Sequence, residues 1–393
     1  MENKKYSLLI VGLYCYVGHI RDIVNHLKAQ NPLIDITILT DVPDEYKNNL
    51  ADKSIKIENY DVSPVNCKYR WLRFLLIKRK QKSFFKYFAK NRKYDIINIH
   101  FPNRYMSCVF KYLRTMSNNV VISPWGSDLL RRDATSLKRL KVLYEKADFI
   151  TMPADSVGPI GKILLQDFKI DSKKMIGSFW GSDIVDFAIK NGNSISTDEA
   201  KERFGLYGRY VITCGYNRQE AQRHKAIIAA IDQHRNQLPE NLSLLFPMNY
   251  GNLSYDKYIR DYIDEVIEEC KKRNLHAVFV TDFLSVEDLY KMRKATDIFV
   301  HVQTTDAGSR SVYEYILCNK KIVHGSWVSY KKLESFKPLF YFPVDTLDHL
   351  GEVIVKAYKS DNIEIPQGVM DIVLSRGWES KITKMNDFFM SII

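Results

Sequence analysis

The nine residues Asp306-Ala-Gly-Ser-Arg-Ser-Val-Tyr-Glu314 organise the second half of the chain. They follow residues 297–302, Asp-Ile-Phe-Val-His-Val, whose apolar character predicts a buried strand. They lead into residues 312–318, which predict the first turns of a helix. A glycine and two serines lie between these elements, and such residues let backbone N–H groups point at an anion at a helix start. Two carboxylates eight positions apart therefore flank a predicted phosphate-binding helix N-terminus.

The alternation of apolar strands and helices recurs along the chain. Residues 8–12 predict a strand that ends in Gly12, residues 19–30 a helix and residues 34–40 a second strand. Further strands are predicted within 94–100, 119–124, 147–153, 174–183, 210–216, 242–248, 277–281 and 321–325. This order is typical of doubly wound α/β domains. The spacing from Gly12 to Gly18 does not fit Gly-x-Gly-x-x-Gly, which disfavours a redox dinucleotide enzyme and leaves a turn or a ligand-contacting loop open.

The length of 393 residues suits two domains, and 46% hydrophobic and 12% aromatic content is globular. The polar stretch that begins at Asn191 is the clearest linker. We therefore predict a first domain over 1–190, a linker over 191–208, a second domain over 209–375 and a C-terminal helix over 376–393 that could cross back to the first domain. The expected fold class is α/β, with two Rossmann-like doubly wound domains that face each other across a cleft.

The cysteines and the N-terminus bear on the cellular compartment. The six cysteines include no Cys-x-x-Cys pair, which predicts reduced thiols in a cytoplasmic protein, without disulfides or a zinc site. Residues 6–18 imitate a signal peptide but lack a small-residue cleavage site, so a first β-strand is the better prediction. No apolar run reaches the ~18–20 residues that a membrane-spanning helix needs. The cysteines are Cys15, Cys67, Cys108, Cys214, Cys270 and Cys318.

The net charge of +12 is concentrated in the first half of the chain. Residues 1–190 hold 32 Lys and Arg against 19 Asp and Glu, whereas residues 191–393 hold 26 against 27. Residues 68–93 carry eleven basic residues, no acidic residue and several interleaved aromatics. This pattern predicts a basic amphipathic helix that binds an anionic membrane surface. The alternative is an ordinary solvated helix pair, and nucleic acid is not expected because no recognition motif is present.

Polar residues follow two predicted strands of the first half. His100 ends one strand, and Trp125-Gly-Ser-Asp128 follows the next. Ligands of open α/β sheets collect at the carboxyl ends of strands, so both segments are candidates for one cleft. The alternatives are a structural histidine for His100 and helix N-capping by Ser127 or Asp128.

Four cationic or titratable residues follow the strand that ends near Gly215. Residues 217–225, Asn-Arg-Gln-Glu-Ala-Gln-Arg-His-Lys, place Arg218, Arg223, His224 and Lys225 before a predicted helix over 226–233. Cations at a strand end beside a helix start suit a diphosphate. A solvated basic loop is the alternative.

This succession resembles the GT-B fold of retaining glycosyltransferases, in particular the large family 4 with its Glu-x7-Glu motif. The resemblance spans essentially the whole chain. It rests on an ordered set of pieces: the strand ending at Gly215, the basic residues 218–225, the segment 278–283, the helix from Val286, the strand over 295–300, Asp306-x7-Glu314, and 321–323. The first domain departs from the family, since Trp125 stands where relatives often have a histidine of His-Gly-Ser-Asp.

The resemblance implies roles for individual residues. Glu314 would bind the nucleotide ribose, and Asp306, one methylene shorter than the usual Glu, would contact the transferred sugar. Lys225, with Arg218 or Arg223, would neutralise the leaving diphosphate without a metal or a cofactor. Asp128 and His100 remain candidates for the acceptor side. The other expected nucleotide-sugar contacts are Gly215, Phe283, Leu284, Gly308, Ser309 and Arg310.

The activity implied is transfer of a sugar, with retention, from a UDP-linked nucleotide-sugar to a saccharide or lipid-linked saccharide. The expected setting is the inner face of the plasma membrane, where the protein would be peripheral and act in capsule, surface polysaccharide or glycolipid biosynthesis. Two alternatives are open: a sugar-nucleotide epimerase or hydrolase of the same fold, and a basic protein that binds a surface or RNA without catalysis.

Overall fold

A computed structural model gives the fold of the protein. It describes residues 4–12, 17–40, 55–59, 68–152, 158–249, 257–328, 330, 333, 340–360 and 363–393. The predictions for Cys15, Cys67, Pro153 and most of the loop between Gly12 and Gly18 lie outside these residues. The described cysteines are free thiols, at positions 108, 214, 270 and 318. Among the described residues no helix is long and apolar enough to cross a membrane.

The chain divides into two compact units. The first unit comprises 1–180 together with 380–393, and the second comprises 181–379. The predicted boundary at residue 190 is therefore displaced, and the predicted linker over 191–208 lies inside the second unit. It contains a helix over Thr197–Glu202, which Ser196 caps by accepting a hydrogen bond from the backbone N–H of Glu199. The polar composition of this stretch reflects helix capping rather than an interdomain linker.

The first unit is built on a parallel seven-stranded sheet in the order β3-β2-β1-β4-β5-β6-β7. Four consecutive residues of β1, Leu8 to Val11, are fully buried, and all of β4 is buried. Continuous burial is typical of parallel strands that are covered on both faces. The strands are β1 (Ser7–Val11), β2 (Asp35–Thr40), β3 (Lys56–Asn59), β4 (Ile96–His100), β5 (Asn119–Ser123), β6 (Phe149–Thr151) and β7 (Met175–Ile176).

The helices of the first unit alternate with these strands. They are α1 (Val17–Gln30), α2 (Arg70–Phe88), α3 (Met106–Met116), α4 (Ser127–Leu130), α5 (Ala134–Lys146) and α6 (Pro159–Lys162), which continues into a π-helical turn over Ile163–Asp167. The basic segment 68–93 thus forms one helix, α2, where the alternative interpretation expected a helix pair. Its Phe85 and Phe88 are buried, whereas Trp71 is 65% and Tyr87 79% exposed.

The second unit has a parallel six-stranded sheet in the order β10-β9-β8-β11-β12-β13. The strands are β8 (Tyr210–Cys214), β9 (Leu242–Pro247), β10 (Ala277–Val280), β11 (Ile298–His301), β12 (Lys321–Gly325) and β13 (Tyr341–Val344). In each unit the chain order reverses direction once, between β1 and β4 and between β8 and β11. The prediction of two doubly wound parallel-sheet α/β domains is confirmed.

The helices of the second unit follow its strands. They are α7 (Asp183–Asn191), α8 (Thr197–Glu202), α9 (His224–Gln233), α10 (Lys257–Lys272), α11 (Val286–Ala295), α12 (Arg310–Leu317), α13 (Leu350–Lys359) and α14 (Gln367–Leu374). A final helix, α15 (Trp378–Ser391), contributes its residues from 380 onward to the first unit. There the side chain of Asn386 accepts a hydrogen bond from the Tyr6 hydroxyl at 3.2 Å, which ties α15 to the start of β1.

Candidate functional site

The two segments singled out in the second half follow the two strands between which the sheet order reverses. Arg218 and its neighbours come after β8, and Asp306 to Glu314 come after β11, which pairs directly with β8. In doubly wound sheets ligands bind at the carboxyl ends of the strands at this reversal. The fold therefore brings both predicted segments to one edge of the second sheet.

Arg218 is a buried cation in the loop that follows β8. Its side chain is 1% exposed, and its Nε and Nη1 atoms have no hydrogen-bond partner among the described residues. Burial lowers the pKa of its guanidinium. A buried charge without compensation is costly and occurs where a ligand or another ion supplies the opposite charge. Arg218 is thus the feature of the second unit that points to an anionic ligand.

The other two cations of this loop have partners. Lys225 forms an ion pair with Glu265 on α10, and both side chains are about half exposed. The guanidinium of Arg223 lies 5.0 Å from the centre of the Trp327 ring, and burial lowers its pKa. Arg218 and Lys225 therefore differ. Two nitrogen atoms of the buried Arg218 have no partner among the described residues, whereas Lys225 forms an ion pair at the surface.

A network of amide side chains shapes the turn that leads from β8 to Arg218. Gln222 donates to Gln303 at 2.8 Å and accepts from the backbone N–H of Tyr216 at 3.3 Å. Gly215 has φ +66°, and a Cβ there would lie 2.9 Å from Gln222 Oε1 and 3.1 Å from His224 Nε2. Only glycine fits this conformation and this space. Gly215 thus acts by letting the turn form.

His224 opens helix α9 beside that turn. It is fully buried, and burial lowers its pKa to about 3, so the ring is neutral. Nδ1 lies 3.1 Å from the Tyr262 hydroxyl, while Nε2 has no partner among the described side chains and backbone groups. His224, between Arg223 and Lys225 in the chain, is a neutral group and not a fourth cation of the loop.

Asp306 folds the loop in front of α12. Its carboxylate accepts hydrogen bonds from the backbone N–H groups of Gly308 and Ser309, each at 3.2 Å, and from the Tyr330 hydroxyl. His301 Nε2 lies 3.2 Å from the same carboxylate. Burial pushes the pKa of Asp306 up, but His301 and these hydrogen bonds outweigh it and hold the pKa below its usual value. The group is a buried, ionised carboxylate.

The amides predicted to hold a diphosphate are therefore engaged with Asp306. Ser309 caps α12, because its side chain accepts from the backbone N–H of Ser311 at 3.2 Å. Arg310 donates to the backbone carbonyl of Gly181 at 2.7 Å. Asp306 organises the loop before α12, and the backbone donors that were predicted to meet a ligand already have this internal acceptor.

Glu314 lies on α12 in a buried ion pair that the sequence analysis missed. Its Oε2 accepts from both Nε and Nη2 of Arg293 at 3.2 Å, and the two side chains are 7% and 6% exposed. Its Oε1 accepts from the Ser182 hydroxyl at 2.9 Å. The guanidinium of Arg293 also lies over the ring of Tyr315, at 4.8 Å. Glu314 is thus held in a fixed position by groups far from it in the chain.

The two residues expected near the base differ from each other. Phe283 follows β10 and is 82% exposed, so its ring is accessible for stacking on a ligand. Leu284 is 7% exposed and packs in a cluster with Leu206, Val211 and Met292. Leu284 is a core residue.

In the first unit, His100 and Asp128 are joined through Trp125. The indole N–H of Trp125 donates to His100 Nδ1 at 3.2 Å, and its backbone N–H donates to Asp128 Oδ1 at 2.9 Å. Burial lowers the pKa of His100 to about 3. Because Nδ1 is an acceptor in a neutral ring, Nε2 carries the proton. That Nε2–H group has no acceptor within the described structure, so His100 is a donor and not a base.

Asp128 is fully buried at the start of α4. Its Oδ1 also accepts from the backbone N–H of Gly126 at 2.7 Å, while Oδ2 has no partner within the described part of the chain. Burial raises its pKa to about 6. These hydrogen bonds from backbone N–H groups resemble the N-capping alternative, but the residue at the N-cap position of α4 is Gly126. The rings of Trp125 and Trp180 meet edge to face at 4.9 Å beside His100.

Among the described residues, no group of three or more His, Cys, Asp or Glu side chains could hold a metal ion.

Comparison with known proteins identifies the fold. No family model and no curated protein matches the sequence. A glycosyltransferase from Rickettsia africae ESF-5 matches 99% of each chain at 13% identity, with a TM-score of 0.66. Sucrose-phosphate synthase from Thermosynechococcus elongatus matches 99% of each chain at 13% identity, with a TM-score of 0.71. HepE from Anabaena, solved with UDP and glucose, matches 98% of this chain and 100% of its own at 12% identity, with a TM-score of 0.68.

These neighbours are GT-B glycosyltransferases, and this chain has the same fold over its whole length. The predicted fold class is confirmed at the level of two parallel-sheet α/β domains of GT-B type. At identities of 12–13% the likeness concerns the fold alone.

Proposed function

We propose that this protein is a glycosyltransferase that uses a nucleotide-sugar donor, with the nucleotide bound by the second unit. The observation that carries the proposal is the buried Arg218, at the edge where the order of the second sheet reverses, whose Nε and Nη1 atoms have no hydrogen-bond partner among the described residues. In a GT-B fold, the anion bound at this position would be the diphosphate of the nucleotide-sugar. Glu314 and Asp306, on the loop and helix after the adjacent strand, complete the proposed donor site.

The donor is proposed to be UDP-linked. Three structural neighbours, all structures of Anabaena HepE, were solved with UDP and glucose, with UDP alone or with UDP-glucose. Similarity to family 4 and its motif adds that Glu314 would accept hydrogen bonds from the ribose hydroxyls and that Asp306 would face the sugar. Phe283, exposed after β10, would stack on the base.

The proposed reaction breaks the bond between the anomeric carbon and the diphosphate through an oxocarbenium-like state. Arg218 stabilises the negative charge that develops on the departing diphosphate, as a pre-organised cation in a water-poor site does. The acceptor hydroxyl attacks from the same face, its oxygen bonds to the anomeric carbon, and its proton passes to the departing phosphate. The configuration is then retained. Lys225 would assist only after leaving Glu265, and no metal is required.

The acceptor is proposed to bind the first unit at the ends of β4 and β5. There His100 offers a buried N–H donor and Asp128 an unpartnered carboxyl oxygen, groups that suit sugar hydroxyls. The half-buried rings of Trp125 and Trp180 beside these groups are of the type that packs against a pyranose ring. A saccharide acceptor is the class that these groups favour.

The acceptor is further proposed to be lipid-linked, with the protein peripheral at the inner face of the plasma membrane and active in surface polysaccharide or glycolipid biosynthesis. Helix α2 supports this proposal, since Trp71, Leu75 and Tyr87 are exposed among its cations. Polybasic segments gain about 1 kcal/mol per cation near an anionic surface. Flotation with phosphatidylglycerol vesicles is the test: serine at every Lys and Arg of 78–93 should abolish it, and serine at Lys356 and Lys359 should not. Retained flotation of the first variant would exclude this surface.

The donor proposal is tested by thermal unfolding with UDP, GDP, dTDP and ADP. We expect UDP to stabilise the protein, by about 2.7 kcal/mol at 100 times its dissociation constant. Failure of all four nucleotides would favour the non-catalytic alternative. Turnover of UDP-sugar without any acceptor would favour an epimerase or a hydrolase.

A further inference from the structure

A cavity of about 330 Å³ opens in the first unit on the carboxyl-end side of its sheet. Arg104 comes from the segment between β4 and α3, and Arg132 from the segment between α4 and α5. The other polar lining residues are Asn103, Tyr105, Asp133 and Ser136. The cavity lies entirely outside the second unit, where Arg218 is found, and nothing in the proposed donor site uses it.

The arginines of this cavity lie near two carboxylates but form no ion pair with either in the described structure. Hydrogen bonds from Ser136 and the charge of Arg104 lower the pKa of Asp133, and the charge of Arg132 opposes the burial that raises the pKa of Asp128. No acidic side chain among the described residues lies within ion-pair distance of Arg104 or Arg132. The acidic lining residue, Asp133, is occupied as the N-cap of α5: its oxygens accept from the backbone N–H of Ser136 at 2.9 Å and from its hydroxyl at 3.0 Å. The cavity therefore keeps a net positive charge.

Each guanidinium group lies near an aromatic ring, with Arg104 half-buried and Arg132 exposed. Arg104 lies 5.2 Å from the centre of the Phe74 ring and donates to the Tyr105 hydroxyl at 3.2 Å. Arg132 lies 5.7 Å from the Phe101 ring and donates to the backbone carbonyl of Asp128 at 3.4 Å. A guanidinium has five N–H donors, and these contacts use few of them. Two positioned arginines with donors to spare match the oxygens of a phosphate group.

The neighbours of the cavity indicate which phosphate it would take. Phe101 directly follows His100, and Arg132 bonds to Asp128, so the cavity borders the proposed acceptor groups. On its other side, Phe74 belongs to α2 and stacks on Tyr105 at 5.2 Å. The cavity thus lies between the basic helix and the strand ends where the acceptor sugar is proposed to bind.

We infer that this cavity binds the phosphate group that joins the acceptor sugar to its lipid. The inference rests on the proposed function and adds to it an anionic subsite in the first unit, formed by Arg104 and Arg132. The lipid would lie along α2 and the sugar would extend toward His100 and Asp128. A lipid phosphate and a free phosphate share the same chemistry, and the experiment separates them.

The test is calorimetric titration of the full chain with inorganic phosphate and with dihexanoyl phosphatidic acid. The double variant Arg104→Gln/Arg132→Gln should bind phosphatidic acid at least about tenfold more weakly, since two charge-assisted contacts are lost. The control Lys138→Gln/Lys146→Gln removes two exposed cations of α5 and should bind like the wild type. Any binding at Arg218 contributes equally to all three proteins, so their difference reports the cavity.

Two further comparisons keep the inference open to refutation. Arg104→Lys/Arg132→Lys retains the charge and should restore part of the affinity, which guards against a misfolded glutamine variant. Equal affinities of the wild type and the glutamine variant, or no binding to the wild type, would overturn the inference. Binding of inorganic phosphate as tight as that of phosphatidic acid would overturn the assignment to a lipid. UDP stabilisation, measured separately, reports whether the donor proposal itself fails.

Discussion

The edges of the two sheets differ in which polar groups lack a partner. At the carboxyl-end edge of the second sheet, Asp306 and Glu314 have partners within the chain, whereas the cation Arg218 has Nε and Nη1 atoms without a hydrogen-bond partner among the described residues. At the ends of β4 and β5 in the first sheet, the Nε2–H of the neutral His100 and Oδ2 of Asp128 have no hydrogen-bond partner in the described part of the chain. The second edge is therefore suited to an anion, and the first edge to a ligand with neutral hydroxyl groups. The two units share one architecture, but the polar groups at their strand ends suit ligands of different charge.

The largest effect on stability is expected at Glu314. Glu314→Gln leaves the Arg293 guanidinium buried without a counter-charge, which should lower the free energy of unfolding by about 3–5 kcal/mol. Urea denaturation of the variant and the wild type at pH 7 measures this difference. Glu265→Gln is the matched control, because its ion pair with Lys225 is exposed. Equal losses in the two variants would contradict a structural ion pair at Glu314.

A smaller and pH-dependent effect is expected at Asp128. Burial raises its pKa to about 6 in the folded protein, above its value in the unfolded chain, so ionisation opposes folding. This cost is absent below about pH 4, grows as the pH rises and is complete above about pH 6, where it reaches about 3 kcal/mol.

Asp128→Asn keeps an acceptor for the amides of Trp125 and Gly126 and removes the charge. The variant should be more stable than the wild type at pH 8 and nearly equal to it at pH 4, as denaturation curves at the two values would report. A gain that is the same at both pH values would mean that the buried carboxyl does not titrate as described.

The smallest effect is expected at Lys225. Its ion pair with Glu265 is exposed, and such pairs contribute about 0–1 kcal/mol. Lys225→Gln should therefore change thermal stability little. It should also weaken UDP binding less than the change at Arg218. A larger loss of UDP binding at Lys225 would restore the assignment that the family resemblance implies.

Much of the fold could be predicted from the sequence because its central strands are buried on both faces. Continuous apolar runs such as Leu8 to Val11 predict these strands directly. Two strands at the sheet edges, β3 and β13, were not predicted. β3 alternates charged and apolar residues, and β13 contains Pro343, which an edge strand tolerates because one side of it lacks a partner strand. In β3 the charged residues, and in β13 the proline, interrupt the apolar run on which the prediction relied.

The site could be predicted only in part. Spacing along the chain located Asp306 and Glu314, but the partners of Glu314 lie 21 and 132 positions away, at Arg293 and Ser182. No local pattern contains such contacts. The loop 217–225 likewise offers three cations of similar appearance, and only tertiary burial distinguishes Arg218 from Arg223 and Lys225. For His100 the sequence left both a role on the acceptor side and a structural role open, and the hydrogen bond from the Trp125 indole fixes the ring as an Nε2–H donor.

Arg218 is proposed to bind the diphosphate of a nucleotide. The most direct measurement is the UDP-induced shift in unfolding free energy for the wild type, Arg218→Gln and Lys225→Gln. We predict that the shift of about 2.7 kcal/mol at 100 times the wild-type dissociation constant is largely lost in Arg218→Gln. It should be mostly kept in Lys225→Gln, and Arg218→Gln without UDP should be at least as stable as the wild type. A full UDP shift in Arg218→Gln would contradict the account.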